Sequence, residues 1–175
     1  MVKIPTIDCG TFVLRQLNKK DAESLSKNAD NKKIARNLTD EFPSPYTVKN
    51  AEWWIRFNLS KKNERVYTFG IEVDGKVCGC ISLYLDNRNN KKATTGYWIG
   101  EAFWGRGIMS VTLEKVTDFG FKELKLKRIE ASVYPHNEAS ASVLINNGFE
   151  KEGYLKKSAL HAGKLMDEII FAKVK

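Results

Sequence analysis

The hydrophobic pattern of this chain changes near residue 100, and that change limits the folds that the chain can adopt. Before residue 100, period-two alternation predicts three strands of a hairpin meander, over residues 65–73, 76–85 and 93–100. After it, helical stripes alternate with strands, over helix 107–120, strand 127–134, helix 138–147 and strands 149–157 and 165–174. This order predicts an α/β (α+β) fold in which helices flank one mixed, mostly antiparallel twisted sheet of about six to seven strands.

Turn and cap residues bound several of these elements. Asp74-Gly75 predicts a two-residue hairpin turn. Gly148 ends the preceding helix, because glycine readily takes the left-handed conformation found after a helix C-terminus. The stripe predicted to face the core from helix 107–120 consists of Met109, Leu113, Val116 and Phe119. The residues predicted to share one face of strand 127–134 are Ile129, Ala131 and Val133.

The first sixty residues are predicted to add one strand and several helical segments. Gly10–Leu17 has the pattern of a strand, and Asn18–Asn37 that of one helix or two short ones. Glu41–Pro45 is a predicted loop, because each proline pushes the residue before it out of the helical region. Thr47 is a good N-cap for a helix that continues to about Lys62. The core face predicted for that helix consists of Val48, Ala51, Ile55 and Leu59.

Composition excludes some classes of protein. A chain of 175 residues that is 42% hydrophobic fits one folded domain with a continuous core. Its net charge of +8 favours anionic partners, among them nucleic acid, ribosomal surfaces and phosphorylated cofactors, and charge alone does not choose between them. No apolar stretch approaches the ~18 residues that span a bilayer, and the N-terminus lacks the order of a secretory signal. We therefore expect a cytoplasmic protein that does not bind membranes.

The three cysteines and two histidines are expected to hold no metal. The cysteine count is odd, and Cys78-Gly-Cys80 does not have the CxxC spacing of redox or zinc motifs. In a strand these two side chains would share one face, where free cysteine usually behaves as a small buried hydrophobe. His136 and His161 stand alone in polar stretches. The sequence therefore predicts buried structural thiols.

The segment Trp104–Met109 lies between a predicted strand and a predicted helix. Gly105 and Gly107 allow positive φ and a close approach of the backbone to a ligand. The first amides of the helix are unpaired at the positive end of its dipole, which makes an anion site suited to phosphate, and Arg106 could add a charged contact. A plain strand-to-helix turn explains a lone Gly-x-Gly equally well. The pattern Gly105-x-Gly107-x-x-Ser110 is not a dinucleotide-binding fingerprint, because Ser110 replaces the third glycine.

Three motifs, in a fixed order along the chain, favour the phosphate site over the plain turn. The first is Gly96-Tyr-Trp-Ile-Gly-Glu101 followed by Trp104-Gly-Arg-Gly-Ile108, the second is Asn137-x-x-Ser140-x-x-Val-Leu144-x-x-x-Gly148-Phe149-x-x-Glu152-Gly153, and the third is Asp167 in the last strand region. Together they resemble the GCN5-related N-acetyltransferase (GNAT) superfamily, and within it the ribosomal-protein-alanine acetyltransferase type. The resemblance covers nearly the whole chain and implies a single N-acetyltransferase domain over residues 1–175.

The resemblance implies how acetyl-CoA would bind. The strands over 93–100 and 127–134 would splay apart and form the cleft, with backbone groups around Ile99 on the pantetheine arm and the amides of 105–109 on the pyrophosphate. The cofactor-binding residues implied are Ile99, Gly100, Trp104, Gly105, Arg106, Gly107, Ile108, Met109, Asn137 and Ser140. Met109 departs from the glycine or alanine usual at its place, where its bulk could crowd the helix start. Its amide remains available, so we expect binding to persist.

Direct attack of an amine on the thioester needs a base, an oxyanion donor and an acid for the leaving thiolate. The resemblance implies Glu101 as the base, directly or through water, and Ser140 as the acid. Glu101 could also be an ordinary loop glutamate, and Ser140 a first-turn serine that binds a local amide. Leu144 stands where many relatives have an acid tyrosine, and Tyr97 and Tyr134 are alternatives. Asn137 is an equally good helix cap.

The acceptor is predicted only by class. Trp54, Tyr97 and Glu101 are the candidates for the acceptor site, and either Trp53 or Trp54 could instead simply cover the sheet. The resemblance favours a protein or peptide N-terminal amine, with a ribosomal protein as a possible partner, over a polyamine, amino sugar or amino acid. Asp40, Glu41 and Asp86 could supply a local acidic pocket for a polyamine. We expect acetyl-CoA as co-substrate, no metal, no specific nucleic-acid site, and a monomer or homodimer. A non-catalytic acetyl-CoA- or RNA-binding module is the alternative of another class.

Overall fold

The fold was determined from a computed structural model that describes residues 2–60, 64–89 and 91–175. Its strands are β1 (Ile7–Asp8), β2 (Val13–Gln16), β3 (Val66–Val73), β4 (Lys76–Leu85), β5 (Lys92–Ile99), β6 (Arg128–Val133), β7 (Glu150–His161) and β8 (Lys164–Val174). Its α-helices are α1 (Ala22–Ala29), α2 (Lys32–Ala35), α3 (Val48–Leu59), α4 (Ile108–Lys122) and α5 (Glu138–Asn146). Short 3-10 turns cover Lys19–Asp21 and Glu101–Phe103.

One eight-stranded sheet, in the order β1-β2-β3-β4-β5-β6-β8-β7, runs through the molecule. The meander β3–β4–β5 is antiparallel as expected, and its first turn holds Asp74 and Gly75 at φ 49° and 74°. The strand beyond the six or seven expected is β1, whose two residues are too few to show an alternating pattern. The α/β (α+β) class with one mostly antiparallel sheet is confirmed.

The pair β5–β6 is parallel and short. It is registered only from Lys92–Arg128 to Thr94–Glu130, whereas β6 stays paired with β8 as far as Val133–Ile169. The C-terminal halves of β5 and β6 therefore separate and leave a gap in the sheet. This is the splayed strand pair predicted from the sequence.

Helices cover both faces of the sheet. The predicted stripe of α4 is buried in one core cluster, together with Leu144 of α5 and Ile129, Ala131 and Val133 of β6. On the other face, Leu25 of α1 packs with Ala51 and Ile55 of α3 in a second cluster, and Trp54 packs against it. None of the described helices has the length and apolar character needed to cross a membrane.

The helix α3 begins as predicted and buries less than predicted. The Thr47 hydroxyl accepts a hydrogen bond from the N–H of Asn50, which completes the N-cap. The prediction that Val48 and Leu59 face the core is wrong, since they are 42% and 40% exposed. Both lie at the ends of α3, and this helix of 12 residues packs on α1, which has only 8. The predicted end at Lys62 lies outside the described residues.

The prediction that Cys78 and Cys80 share one face is also wrong. A β-bulge shifts the β3–β4 register between Ile71 and Glu72, so the chain around Cys78 gains one residue relative to its partner strand. Cys78 then packs in the cluster beneath α4, and Cys80 in the cluster beneath α1 and α3. Both are buried free thiols, as expected, and burial raises the pKa of each.

Candidate active site

The loop before α4 has the geometry of an anion site. Gly105 and Gly107 both have φ of 72°, in the left-handed region that favours glycine. Within the described part of the chain, no atom lies within 4 Å of the place where a Cβ would stand on either glycine. Gly107 is the N-cap of this 15-residue helix and, having no side chain, leaves the first amides of α4 without a side-chain cap. The helix start is therefore open to an anionic group such as a phosphate.

The other residues of this loop hold it in place. The indole N–H of Trp104 donates to the Ile99 carbonyl at 2.8 Å, which ties the loop to the end of β5. The Arg106 guanidinium lies 5.4 Å from the centre of the Phe103 ring. The Met109 side chain is 9% exposed and belongs to the core, as does that of Ile108. Met109 therefore does not crowd the helix start, although its bulk at this position is unusual.

The end of β5 offers fewer free backbone groups than the sequence implies. The Gly100 N–H donates to the Cys78 carbonyl at 2.8 Å, and the Ile99 carbonyl already accepts from Trp104. A carbonyl oxygen can accept a second hydrogen bond, so Ile99 remains open to a ligand. A Cβ at position 100 would overlap Asn28 Oδ1, so a larger residue there would force the Asn28 side chain to move.

Tyr97 and Ser140 meet across the gap between β5 and α5. The Tyr97 hydroxyl lies 2.9 Å from Ser140 Oγ and 3.3 Å from the Ser140 carbonyl oxygen. Burial, partly offset by the hydrogen bond with Ser140, raises the pKa of Tyr97 to about 12. The Asn137 side chain accepts the Ser140 N–H at 3.3 Å and caps α5. Leu144 is fully buried and brings no polar group to this place.

Glu101 lies apart from this pair. Its carboxylate accepts a hydrogen bond from the Asn31 amide at 2.8 Å and forms an ion pair with Lys33 of α2. The Lys33 contact and then that of Asn31 lower the pKa of Glu101, which leaves the carboxylate charged and weakens it as a base. The side chain is 40% exposed and is not among the described residues that line the cavity next to the gap.

That cavity lies on the α3 face of the sheet and has a volume of about 920 Å³. Strands β4, β5, β6 and β8 form its floor, and α3 and the segment between α2 and α3 form its walls. Trp53 and Trp54 both line it, as do Tyr97 and Tyr134. The acceptor-site candidates Trp54 and Tyr97 both border the cavity, although the Tyr97 side chain packs in the cluster on the α4 face, whereas Glu101 does not border it.

Three of the lining residues are glutamates, and the sequence suggested only one of them. Glu41 lines the cavity as suggested, whereas Asp40 and Asp86 do not: Asp40 accepts the Ala162 N–H between β7 and β8, and Asp86 accepts the Arg88 N–H of its own loop. The other two are Glu130 of β6 and Glu168 of β8. The alternation in β6 would have identified Glu130. Ile129, Ala131 and Val133 form the buried face of this strand, so the residues between them face the cavity.

Both histidines attach the wall of the cavity to the sheet. His136 Nε2 lies 2.9 Å from Asn37 Oδ1, and His161 Nδ1 lies 3.2 Å from Asp40 Oδ1. Asp40 also accepts the Ala162 N–H at 2.9 Å. The two rings pack against Tyr134. These contacts give the histidines a structural position beside the cavity.

Comparison with known proteins provides an independent view of the site. The family described as "Acetyltransferase (GNAT) domain" matches residues 11–150. The uncharacterized N-acetyltransferase YoaA of Bacillus subtilis (strain 168) is 30% identical over 174 residues, covering 98% of this chain and 97% of that protein. The [ribosomal protein uS5]-alanine N-acetyltransferase of Escherichia coli (strain K12) is 36% identical over 77 residues, covering 44% of this chain and 40% of that protein.

A solved structure extends the likeness to the whole fold. Mycobacterium smegmatis RimJ in complex with CoA-disulfide has a TM-score of 0.86 and 26% identity, and the match covers 98% of this chain and 86% of that one. The matching fold includes the helices and strands that carry the glycine loop and the gap.

Proposed function

Because the chain belongs to the acetyltransferase (GNAT) domain family and is an acyltransferase with N-acetyltransferase relatives, we propose that it acetylates the N-terminal amine of a peptide or protein. Acetyl-CoA is the proposed donor. The observation that carries this proposal is the order of three features along the gap between β5 and β6. An uncapped helix start lies at one end, the Tyr97–Ser140 pair lies inside it, and a large cavity opens on the opposite face of the sheet.

The residues proposed to hold acetyl-CoA fit an elongated thioester with a pyrophosphate. The open amides at Ile108 and Met109 would take the pyrophosphate, since the helix dipole and the free N–H groups both favour an anion there. Arg106 would add a charge-assisted contact. The Ile99 carbonyl lies at the end of β5, where the pantetheine arm would pass toward the gap.

In the proposed reaction the acceptor nitrogen attacks the thioester carbonyl. A carbon–nitrogen bond forms, the carbon–sulfur bond breaks, the nitrogen loses one proton to a base, and the thiolate takes up one proton. Glu101 is the proposed base, and its contacts with Lys33 and Asn31 favour action through a water molecule over direct contact. A backbone N–H at the end of β5 is the proposed oxyanion donor.

Ser140 is the proposed acid for the leaving thiolate, and its hydrogen bond with Tyr97 supports a part for that phenol in the same step. The Tyr97 phenol is protonated at neutral pH, as any tyrosine with a pKa of 10 or above is, so it can donate to Ser140 Oγ as that hydroxyl donates to sulfur. The buried Leu144 stands at the position of the usual family tyrosine and cannot donate a proton, so this pair is the proposed acid.

A small-molecule amine is the second candidate acceptor. The cavity of about 920 Å³ has walls on several sides and could enclose a small amine as readily as the first residues of a peptide. The similarity to the uS5-alanine enzyme supports the peptide, and it extends over only part of that protein.

Two measurements test the proposal together. Acetyl-CoA should raise the melting temperature more than S-acetylpantetheine does, because S-acetylpantetheine keeps the thioester but lacks the pyrophosphate, so only acetyl-CoA can occupy both sites. Thiol release from acetyl-CoA should then occur with N-terminal peptides in a screen that also contains polyamines and amino sugars. Release with none of these amines, despite a shift with acetyl-CoA, would identify a non-catalytic binding module. A preference for polyamines or amino sugars would replace the peptide.

A further inference from the structure

The cavity has an electrostatic character opposite to that of the whole chain. The protein carries a net charge of +8, yet the described residues that line the cavity include three glutamates and no lysine, arginine or histidine. Glu130 is paired with Lys92 and Arg128, so its charge is largely balanced. Glu168 accepts a hydrogen bond from the neutral Ser158 hydroxyl at 2.8 Å and forms no ion pair with a described residue. A cation is therefore favoured in the cavity, and a carboxylate or phosphate is disfavoured.

A second and independent feature points to a polar ligand group at the same place. Tyr134 lines the cavity and is only 5% exposed, and no hydrogen-bond partner for its hydroxyl is found among the described residues. Burial, followed by the charges of Glu168 and Asp40, raises the pKa of Tyr134, so the hydroxyl keeps its proton. A buried hydroxyl without a partner is unfavourable until a ligand atom satisfies it.

Tyr134 and Glu168 are close neighbours. The last registered pair of β6 and β8 is Val133–Ile169, and Tyr134 and Glu168 are the next residues on the two strands. A proton donor for a carbonyl oxygen thus lies beside a carboxylate for an ammonium group. An ammonium and a carbonyl two bonds apart, as in an amino acid amide or a peptide N-terminus, match this pair.

The rest of the cavity is aromatic. Trp53, Trp54 and Phe57 of α3 stack on one another, with Phe57 ring centres 5.3 Å and 5.5 Å from the two tryptophans. Trp98 of β5 packs edge-on against Phe42 at 5.8 Å on the facing side. Trp53 is 57% exposed, so a ligand that covers it would remove apolar surface from water. Flat apolar walls of this kind favour a large planar side chain on the ligand.

We infer that the acceptor is an N-terminal amine whose first residue is aromatic and whose α-carboxyl is held in an amide. This inference rests on the proposed function for the reaction, and it names the acceptor class of the same site. Free amino acids are excluded by their carboxylate, which would lie against Glu168. Peptides that begin with a small residue leave the aromatic walls uncovered.

Four related compounds test the two parts of the inference separately: phenylalaninamide, alaninamide, phenylalanine and alanine. With saturating acetyl-CoA, kcat/KM for phenylalaninamide should exceed that for alaninamide and that for phenylalanine by at least about tenfold each. A preference for alaninamide, or equal rates for phenylalanine and its amide, would overturn the inference while leaving acetyl transfer to amines intact.

A binding measurement separates this inference from the reaction. Three tryptophans line the cavity, so phenylalaninamide should change the intrinsic fluorescence at lower concentration than alaninamide or phenylalanine. If no amine is acetylated and this order of binding still holds, the proposed reaction fails and the ligand class stands. If the order is absent, the ligand class fails whether or not acetyl transfer occurs.

Matched variants assign the effects to residues. Glu168→Gln should raise KM for phenylalaninamide at least about tenfold with unchanged KM for acetyl-CoA, whereas Glu123→Gln, an exposed glutamate beyond α4, should change neither. Tyr134→Phe should lower kcat/KM for phenylalaninamide and not for 2-phenylethylamine, which has no carbonyl. An equal loss for both amines would contradict the contact proposed for Tyr134.

Discussion

The Tyr97 hydroxyl lies 2.9 Å from Ser140 Oγ, and this hydrogen bond joins the end of β5 to the first turn of α5. The two residues are 43 positions apart in the chain and meet at the gap where β5 and β6 separate. The contact places two hydroxyl groups in series, and the Tyr97 phenol is protonated at neutral pH. It offers a proton path to a leaving thiolate in a chain whose Leu144 has no proton to give.

If this path operates, both hydroxyls serve one proton transfer. We expect Ser140→Ala and Tyr97→Phe each to lower kcat by about ten- to a hundredfold, the lower part of the range for general acid catalysis. The kcat of the double variant should be only slightly lower than that of the less active single variant, because either change already interrupts the same transfer. Thiol release at saturating substrate measures kcat, and Tyr154→Phe, which removes an exposed hydroxyl bonded to Asp167, is the matched control.

The alternative is that the contact only fixes the position of α5. In that case the single effects on kcat would multiply in the double variant, and KM for acetyl-CoA would rise in all three proteins. Tyr97→Phe would then also lower the melting temperature in step with its loss of activity.

Glu101 and Lys33 provide a test of the proposed base through its pKa. Glu101→Gln should lower kcat at least about tenfold with little change in the affinity for acetyl-CoA. Lys33→Met should raise the pKa of Glu101, because the Lys33 contact is the largest cause of its lowering. The acidic limb of the pH–kcat profile should therefore move to higher pH in Lys33→Met and stay in place in Lys32→Met.

The outcome that would remove Glu101 from the chemistry is equally definite. Equal losses of kcat and acetyl-CoA affinity in Glu101→Gln would assign it to binding. If the acidic limb of the pH–kcat profile does not move in Lys33→Met, another carboxylate takes the proton.

The sequence predicted what depends on local pattern. The stripe Met109–Phe119, the turn Asp74-Gly75 and the loop glycines each follow from spacing or from backbone preferences, and all lie where expected. Ser140 and Tyr97 were both named from motifs, but the hydrogen bond between them was not predicted, because strand alternation does not reveal which helix a side chain meets across the sheet.

The errors have non-local causes. Cys78 and Cys80 face opposite sides because a bulge set by the partner strand shifts the register by one residue. Val48 and Leu59 are exposed because the length of α1, and not the pattern of α3, decides how much of α3 is covered. Glu168 was missed because only the pairing of β8 with β6 brings it beside Tyr134.

The stability of the sheet around Arg128 of β6 should depend on pH. Burial acts to raise the pKa of Glu130, but its contacts with Lys92 and Arg128 outweigh this and lower it, and Arg128 also lowers the pKa of Glu152. A carboxyl whose folded pKa is lowered adds stability that is present above its ordinary value of 4.5 and is lost as pH falls through the folded pKa.

Arg128→Met should therefore lower the melting temperature at pH 7 and flatten its fall between about pH 5 and pH 3. Lys164→Met, which removes the same charge from the β7–β8 hairpin, is the control and should keep the wild-type slope. Identical slopes in the two variants would show that the Arg128 cluster does not contribute to acid sensitivity.

The glycine loop can be separated from ordinary backbone strain by two substitutions. Gly107 has φ of 72° and Gly163 has φ of 74°, and neither has a described atom within 4 Å of the Cβ position. Alanine at either site should cost about 1 kcal/mol of stability, because a left-handed conformation is unfavourable for any residue with a Cβ. Both variants should therefore lose a similar few degrees of melting temperature.

Only Gly107→Ala should also raise the Kd for acetyl-CoA, by at least about tenfold, since the new methyl group and the strained backbone disturb the amides at the start of α4. Titration by thermal shift measures both quantities. An unchanged Kd in Gly107→Ala would mean that the loop before α4 does not hold the pyrophosphate.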